Sequence, residues 1–280
     1  MLEFDPSKPA APPRAASTVI VLREVASSLE VFCVLRHQKS SFLGGAIVFP
    51  GGKVDAQDGA AEWSDLATTP HPRAAMMEGP DASALALAIA ACRESLEEAA
   101  ILPLDRSVPS EVVLAMRREL EAGAPFAETL RGQGVRLAVD ALVPWARWVT
   151  PEAEQRRFDA RFFLLPLPPM QQGAHDDREV THSFWATPAE VLRRFLAGEI
   201  FLAPPTCRTL EILASCKSVA EAIALADEQS LLPICPAFVP DDKAPFLALP
   251  GDPKHAVAEK RVAGKTRFVL RDGRFLSEDP

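Results

Sequence analysis

The chain has 280 residues, 48% of them hydrophobic, which is enough apolar sequence to bury a substantial core and excludes a disordered polymer. Its formal net charge of -8 argues against a nucleic-acid partner, because sequence-independent binding to phosphate backbones needs a basic footprint. A nucleotide pocket remains compatible with that charge. No stretch reaches transmembrane length and Met1 to Pro6 carry no basic leader, so no membrane association is expected. The five cysteines, Cys33, Cys92, Cys207, Cys216 and Cys235, form no CxxC pair and read as reduced thiols of a cytoplasmic protein.

In chain order, residues 1–16 are rich in proline and alanine and read as a flexible N-terminal arm. Ser17 to Leu22 and Leu29 to Leu35 read as paired strands across a polar break, and Gly44 to Phe49 as a strand leading into a Pro-Gly-Gly turn. Residues 59–83 have little periodicity and several prolines, the signature of a surface insertion. Asp81 or Ser83 is positioned to cap a helix from about Ala84 to Ala100. Its apolar stripe is Leu85, Ala88, Ile89, Cys92, Leu96 and Ala99, which puts Glu94, Glu97 and Glu98 on the opposite side.

Further helices are expected at 110–122, capped by Ser110, and at 125–132. Strands are expected at 141–149, 157–165 and 180–185, followed by helices from Pro188 to about Ala197, at 206–216 and at 218–228. Asp272-Gly273 marks the turn of a terminal hairpin. The main body is read as 17–215, with 216–280 packed on it as an extension.

Carboxylates at 94, 97 and 98 share one helix face, and three anions so close repel one another. Only one cation, Arg93, lies within the helix segment, so intrahelical pairing does not relieve the cluster. The cluster follows a glycine pair, Gly51-Gly52, of the kind that lets backbone approach a ligand. A hard divalent cation resolves the repulsion: Mg²⁺ takes oxygen ligands and is often shared with a substrate phosphate, and Mn²⁺ suits the same donors. Bound there, such an ion neutralises diphosphate charge and lowers the pKa of an attacking water.

These segments resemble the Nudix box. Gly52 takes the place of its first glycine, Asp58 stands where its first glutamate would be, and Arg93, Glu94, Glu97, Glu98 and Ile101 fit its later positions. The box departs from the usual pattern in three ways. Its spacer is thirty-four residues long, 59 to 92, Ser95 occupies an ordinarily apolar position, and Ala100 replaces the closing glycine, which implies a continued helix or a less demanding turn. A long spacer of this kind is similar to the branch that contains peroxisomal coenzyme A diphosphatases and bacterial relatives. Pro144 to Pro151, Arg157 to Phe163, Glu179, Trp185 and Leu202 to Thr206 look like further landmarks of that branch.

The resemblance implies an α/β fold: a Nudix α/β/α sandwich with a mixed central sheet, an insertion within the box, and extra C-terminal helices and hairpin. It implies a pyrophosphohydrolase that uses Mg²⁺ or Mn²⁺ to cleave a small-molecule diphosphate, with coenzyme A or acyl-coenzyme A as the branch's substrate. Another nucleoside diphosphate derivative, such as a dinucleotide, ADP-ribose or a nucleotide sugar, and a noncatalytic nucleotide-binding module stand as alternatives. A homodimer follows from family habit.

By resemblance, Glu97 and Glu98 are metal ligands, Glu94 is a further ligand or the base, and the Gly51 carbonyl joins the metal shell. Arg93 fixes a helix carboxylate or, as a second choice, contacts a phosphate, and Glu179 is either the downstream carboxylate that closes the site or a simple surface charge. Lys53 faces either solvent or the diphosphate. Arg157 and Arg161, on one strand face, are read as substrate-binding or as paired surface arginines. Trp145 and Trp148 stack on a base or pack in the core, and His175 is a loop acid or base to test.

Overall fold

A single strand organises the molecule. In the computed structural model, which describes residues 10–37, 44–175 and 180–280, Val19 and Val21 pack on one face of this strand and Ile20 and Leu22 on the other, all fully buried. An unbroken apolar run of this kind belongs to a strand covered on both sides.

In chain order the elements are β1 (Arg14–Val25), β2 (Ser28–Arg36), β3 (Ala46–Val48), β4 (Gly51–Lys53), α1 (Trp63–Leu66), α2 (Ala84–Ala99), α3 (Ser110–Glu121), α4 (Phe126–Gln133), β5 (Val143–Val149), β6 (Phe158–Pro166), β7 (Val180–Ala186), α5 (Pro188–Leu196), β8 (Phe201–Leu202), α6 (Pro204–Leu213), α7 (Val219–Glu228), β9 (Ala237–Val239), β10 (Phe246–Ala248), β11 (Arg267–Arg271) and β12 (Arg274–Glu278).

The main sheet is mixed. β1 runs parallel to β6 from Arg14 opposite Phe158 to Leu22 opposite Pro166, and β3 runs parallel to β8. The remaining pairings are antiparallel, in the order β5-β6-β1-β2-β3-β8, with β4 on β1 and β7 on β2. The polar break expected between the first two strands contracts to Ala26-Ser27, both at positive φ, as a two-residue hairpin turn requires. The strand also begins at Arg14, so the last residues of the expected arm are sheet.

Helices α2, α3 and α4 pack on one face of the sheet through Leu87, Ile89, Cys92, Leu96, Met116 and Leu130. Helices α5, α6 and α7, with the smaller sheet β9 to β12, cover the other face through Phe195, Leu210, Ala226, Leu247, Phe268 and Phe275. The result is an α/β/α sandwich with additional C-terminal helices and a hairpin. The hairpin turns at Asp272-Gly273, both at positive φ.

Three expectations change. The insertion, expected as a surface segment, contributes to the core: Trp63, Leu66 and Met77 are part of it, Trp63 lies 5.4 Å from the Phe126 ring, and Leu66 and Thr68 exchange backbone hydrogen bonds with Leu137. Helix α2 has no single apolar seam. It is alanine-rich and buried on nearly all sides, while Leu85 is only half-buried. Ser83 caps α2 by accepting from the Ala86 N–H at 3.2 Å, and Pro109 rather than Ser110 occupies the cap of α3.

The extension is stitched to the body. Val149 N–H donates to the Ile234 carbonyl at 2.9 Å, and Ile234 N–H donates to the Arg147 carbonyl at 2.8 Å. None of the helices among the described residues is long and apolar enough to cross a membrane.

Candidate active site

The glycine corner is built by pairing β4 against the start of β1. Gly51 lies opposite Thr18 and Gly52 opposite Ser17, and Val19 N–H donates to the Pro50 carbonyl at 2.8 Å. A Cβ on Gly51 would come within 2.5 Å of the Ser17 carbonyl oxygen. A Cβ on Gly52 would come within 2.4 Å of the Glu94 carboxylate. The missing side chains therefore let α2 press its carboxylates onto the turn. The helix is set against β1 by Ser17, whose Oγ donates to the Leu87 carbonyl at 2.7 Å.

Glu98 is only 3% exposed. Its Oε2 accepts from Gly51 N–H at 3.0 Å, and its Oε1 accepts from Arg36 Nη1 at 3.4 Å. A buried carboxylate is tolerated because it is hydrogen-bonded and charge-paired. Arg93 gathers the other two: its Nη1 is 2.8 Å from Glu94 Oε1 and 3.4 Å from Glu97 Oε2. Its remaining donors are spent on Asp58 Oδ1 at 3.0 Å, Asp58 Oδ2 at 3.1 Å and the Lys53 carbonyl at 2.9 Å. Asp58, itself buried, also accepts from Asp55 N–H at 2.8 Å. Burial alone would lower the Arg93 pKa, but the hydrogen bonds that Arg93 donates to Asp58 and the charges of Glu94, Asp58 and Glu97 override it and hold it above the ordinary arginine value.

Among the described residues, no group of three or more His, Cys, Asp or Glu side chains is already drawn together tightly enough to enclose a metal ion. The arginines account for this: with Arg93 between Glu94 and Glu97, and Arg36 beside Glu98, the anions are held by guanidinium groups. The donor chemistry nonetheless suits a hard divalent ion. Three carboxylates project from one helix, one lies where a Gly52 Cβ would stand, and the most accessible, Glu97, is 36% exposed.

A cavity of about 550 Å³ opens from this corner. Glu94, Glu97, Arg93, Lys53 and Arg36 line its charged part, and Trp148, Phe158, Phe162, Pro205 and Leu247 line its apolar part. Trp148 thus borders the cavity, whereas Trp145 is buried away from it with its Nε1–H on Thr209 Oγ1 at 3.3 Å.

Arg157 and Arg161 do not line this cavity. Arg157 donates to the Thr150 and Ala11 carbonyls at 3.1 and 2.8 Å. Arg161, 1% exposed, donates to the Met77 carbonyl at 2.9 Å and pairs with Asp159 at 3.0 Å. The reason is strand parity. Side chains alternate faces, and the cavity takes Phe158, Ala160 and Phe162, so Arg161 and Asp159 point the other way. Besides Arg93 and Arg36, Arg156 borders the cavity; neither Arg36 nor Arg156 was singled out from the sequence. Parity counted from the aromatic residues of β6 was the available signal for the face; nothing local marks Arg36. Glu179 lies outside the described residues. His175 lines no part of the cavity and has its Nδ1 3.1 Å from Ser183 Oγ.

A mixed sheet between helical layers, with a glycine turn under an acidic helix, defines the Nudix class. The comparisons agree. Residues 8–213 match the model of the NUDT19 Nudix domain, and the chain belongs to that family within the Nudix hydrolase superfamily. It is 30% identical over 249 residues to the acyl-coenzyme A diphosphatase NUDT19 of Gallus gallus, covering 72% of this chain and 65% of that protein. It is 29% identical over 237 residues to the protein of the same name from Homo sapiens, covering 70% and 63%. The chain thus spans just under two thirds of the length of these curated relatives. Among solved structures, a NUDIX hydrolase from Alicyclobacillus acidocaldarius superposes with a TM-score of 0.66 at 28% identity, over 76% of this chain and 96% of that one.

Proposed function

We propose that the protein hydrolyses the diphosphate linkage of coenzyme A or acyl-coenzyme A, giving a 3′,5′-ADP fragment and a phosphopantetheine fragment. The observation that supports this reading is that Glu94 and Glu97 line a cavity with both charged and apolar residues, beside Gly51, whose N–H is held by the buried Glu98. The names of the curated relatives support the choice of substrate.

A divalent ion, Mg²⁺ or Mn²⁺, would be held by Glu94, Glu97 and Glu98 with the Gly51 carbonyl, and when bound would supply charge neutralisation and an acidified water. The side chains do the rest. Lys53, Arg36 and Arg156, which border the cavity, offset phosphate charge as it shifts to the leaving oxygen. A helix carboxylate takes the proton of the attacking water as the new P–O bond forms and the bridging P–O bond breaks. Arg93, held by Asp58, fixes the direction of Glu94 and Glu97. The free cysteines suit a reducing cytoplasmic setting.

The test is a screen of coenzyme A, acyl-coenzyme A, NADH, ADP-ribose and diadenosine polyphosphates with Mg²⁺ or Mn²⁺, with products identified by mass. We expect turnover of the coenzyme A compounds. Glu98→Gln should lower turnover by roughly 10²–10³-fold, the range seen when one electrostatic stabiliser is lost. Gly52→Ala should also lower turnover sharply while leaving the melting temperature nearly unchanged, because its methyl displaces the flexible Glu94 carboxylate rather than backbone. Undiminished turnover in both variants rejects the site; products from only the other diphosphates reject the substrate.

A further inference from the structure

Two tasks fall to Arg36 that one guanidinium cannot perform at once. Its Nη1 neutralises Glu98, and its side chain also lines the cavity, where it would face the substrate's phosphates. We propose that Arg36 exchanges between the two: it pairs with Glu98 while no divalent ion is bound, and turns to the diphosphate when an ion takes its place on that carboxylate. The exchange rests on the proposed diphosphate chemistry, and it makes diphosphate and divalent ion favour each other's binding.

Strand parity puts Arg36 where it can do both. Phe32 and Val34 pack on the side of the sheet that α2 covers, so the alternation of side chains turns Arg36, the last residue of β2, to the same side. There it meets Glu98 near the end of α2. The β2–β7 ladder slips by one residue between Leu35 and Arg36, an irregularity of the kind that re-aims a side chain. Glu98 is buried and does not line the cavity, whereas the Arg36 side chain, 21% exposed, does. Arg36 therefore bridges the carboxylate and the space that an ion and a substrate enter. The contact is also long. Arg36 Nη1 stands 3.4 Å from Glu98 Oε1, where a strong charge-assisted hydrogen bond measures about 2.7–2.9 Å. Arg93 contrasts with it, at 2.8 Å from Glu94 and held on its other edge by both oxygens of Asp58 and the Lys53 carbonyl. Arg93 is the fixed guanidinium of the cluster and Arg36 the displaceable one. Charge then dictates the exchange. Gly51 N–H holds Glu98 Oε2, so a divalent ion on Glu98 competes with Arg36 for Oε1. Two cations on one oxygen repel, and a diphosphate in the cavity offers the displaced guanidinium a bidentate partner. A buried carboxylate stripped of its counter-ion is costly, so the guanidinium departs only as the ion arrives.

The experiment measures, by calorimetry on the full chain, the Kd of α,β-methylene-ADP, a diphosphate that resists hydrolysis, with Mg²⁺ and separately with EDTA. With Mg²⁺, Arg36→Met should weaken binding by roughly 5- to 150-fold, the usual span of coupling between two sites. With EDTA, the double variant Arg36→Met/Glu98→Gln, which removes both charges of the pair, should bind the diphosphate as the unmodified protein does. Glu98→Gln alone should bind it more tightly in EDTA, because Arg36 is then released toward the cavity. An arginine that always faces the diphosphate would show the double variant's loss in EDTA as well. An arginine that only neutralises Glu98 would show no loss with Mg²⁺. Either result overturns the exchange, as does a failure of the diphosphate to bind with Mg²⁺ present. Arg36→Lys, which keeps the charge beside Glu98, replaces Arg36→Met if that variant does not fold, and should show a smaller loss with Mg²⁺ and none with EDTA. If the loss depends on Mg²⁺ but no coenzyme A compound is hydrolysed, the exchange stands and the substrate reading falls. Hydrolysis of those compounds with an equal loss in Mg²⁺ and EDTA has the opposite meaning.

Discussion

Ala100 illustrates how one backbone angle can be hidden from a sequence reading. The residue ends α2 at φ 49° and ψ 42°, a left-handed conformation, with its N–H on the Leu96 carbonyl and the Ile101 N–H returning to Ser95. This is the helix-terminating turn that usually takes glycine. Replacement of the box glycine by alanine therefore did not relax the turn; it kept the turn and accepted the strain. A left-handed alanine costs roughly 1–2 kcal/mol, partly offset because glycine is freer in the unfolded chain by about 0.5–1 kcal/mol. Ala100→Gly should stabilise the protein by up to about 1 kcal/mol and raise the melting temperature by about 2–4 °C; an unchanged or lower melting temperature would show that the buried methyl contributes more than the angle costs. Glu98 was obscured in another way. Helical spacing groups it with Glu94 and Glu97, but only β4, folded against β1, decides that Glu98 is buried under Gly51 while Glu97 keeps its exposure.

Among elements, those with strong local signals were legible. The apolar periodicity and a cap at Asp81 or Ser83 place α2 within a residue of its observed ends, although its burial proves broader than one stripe, and Asp-Gly places the terminal hairpin. The insertion was not legible, because its prolines and short 3-10 turns break the periodicity that marks burial, leaving Trp63 and Met77 without a pattern around them. What anchors it is a charged cluster on β5 and β6. Arg161 holds the Met77 carbonyl, Arg147 reaches the Glu78 carbonyl at 3.4 Å, and Asp159 lies between the two guanidinium groups. The substitution Arg161→Leu strips the Met77 carbonyl of its partner and leaves Asp159 to Arg147 alone. A loss of about 3–5 kcal/mol is expected, the cost of breaking a buried ion pair. Hydrogen exchange in residues 72–79 should rise in parallel. Unaltered exchange there, with a stability loss below about 1 kcal/mol, would show that the cluster does not hold the insertion.

At the scale of the whole molecule, a mixed sheet between two helical layers could be expected from the family resemblance. The part played by the last segment in the cavity could not, since Pro236 and Leu247 meet the catalytic half only through long-range pairing. One buried carboxylate supports that segment. Asp252 accepts from Arg267 Nε at 2.7 Å, Lys254 N–H at 2.8 Å and Thr266 Oγ1 at 3.2 Å. Burial alone would raise its pKa, but these partners, Arg267 foremost, outweigh burial and depress it below the usual aspartate value of 3.8. A depressed acid stabilises the fold above its unfolded pKa and loses that contribution as pH falls through its folded one. Asp252→Asn should therefore be markedly less stable than the unmodified protein at pH 7, and the gap between their denaturation midpoints should close below about pH 4. A gap that stays constant into acid would assign the loss to shape rather than charge. The same long-range pairing also sets an order of events during synthesis. Glu94, Glu97 and Glu98 leave the ribosome some 150 residues before Leu247, and β1 must wait for β6 to complete its parallel pairing. A nascent chain thus displays its acidic cluster well before the segment that completes the wall of the cavity has been made.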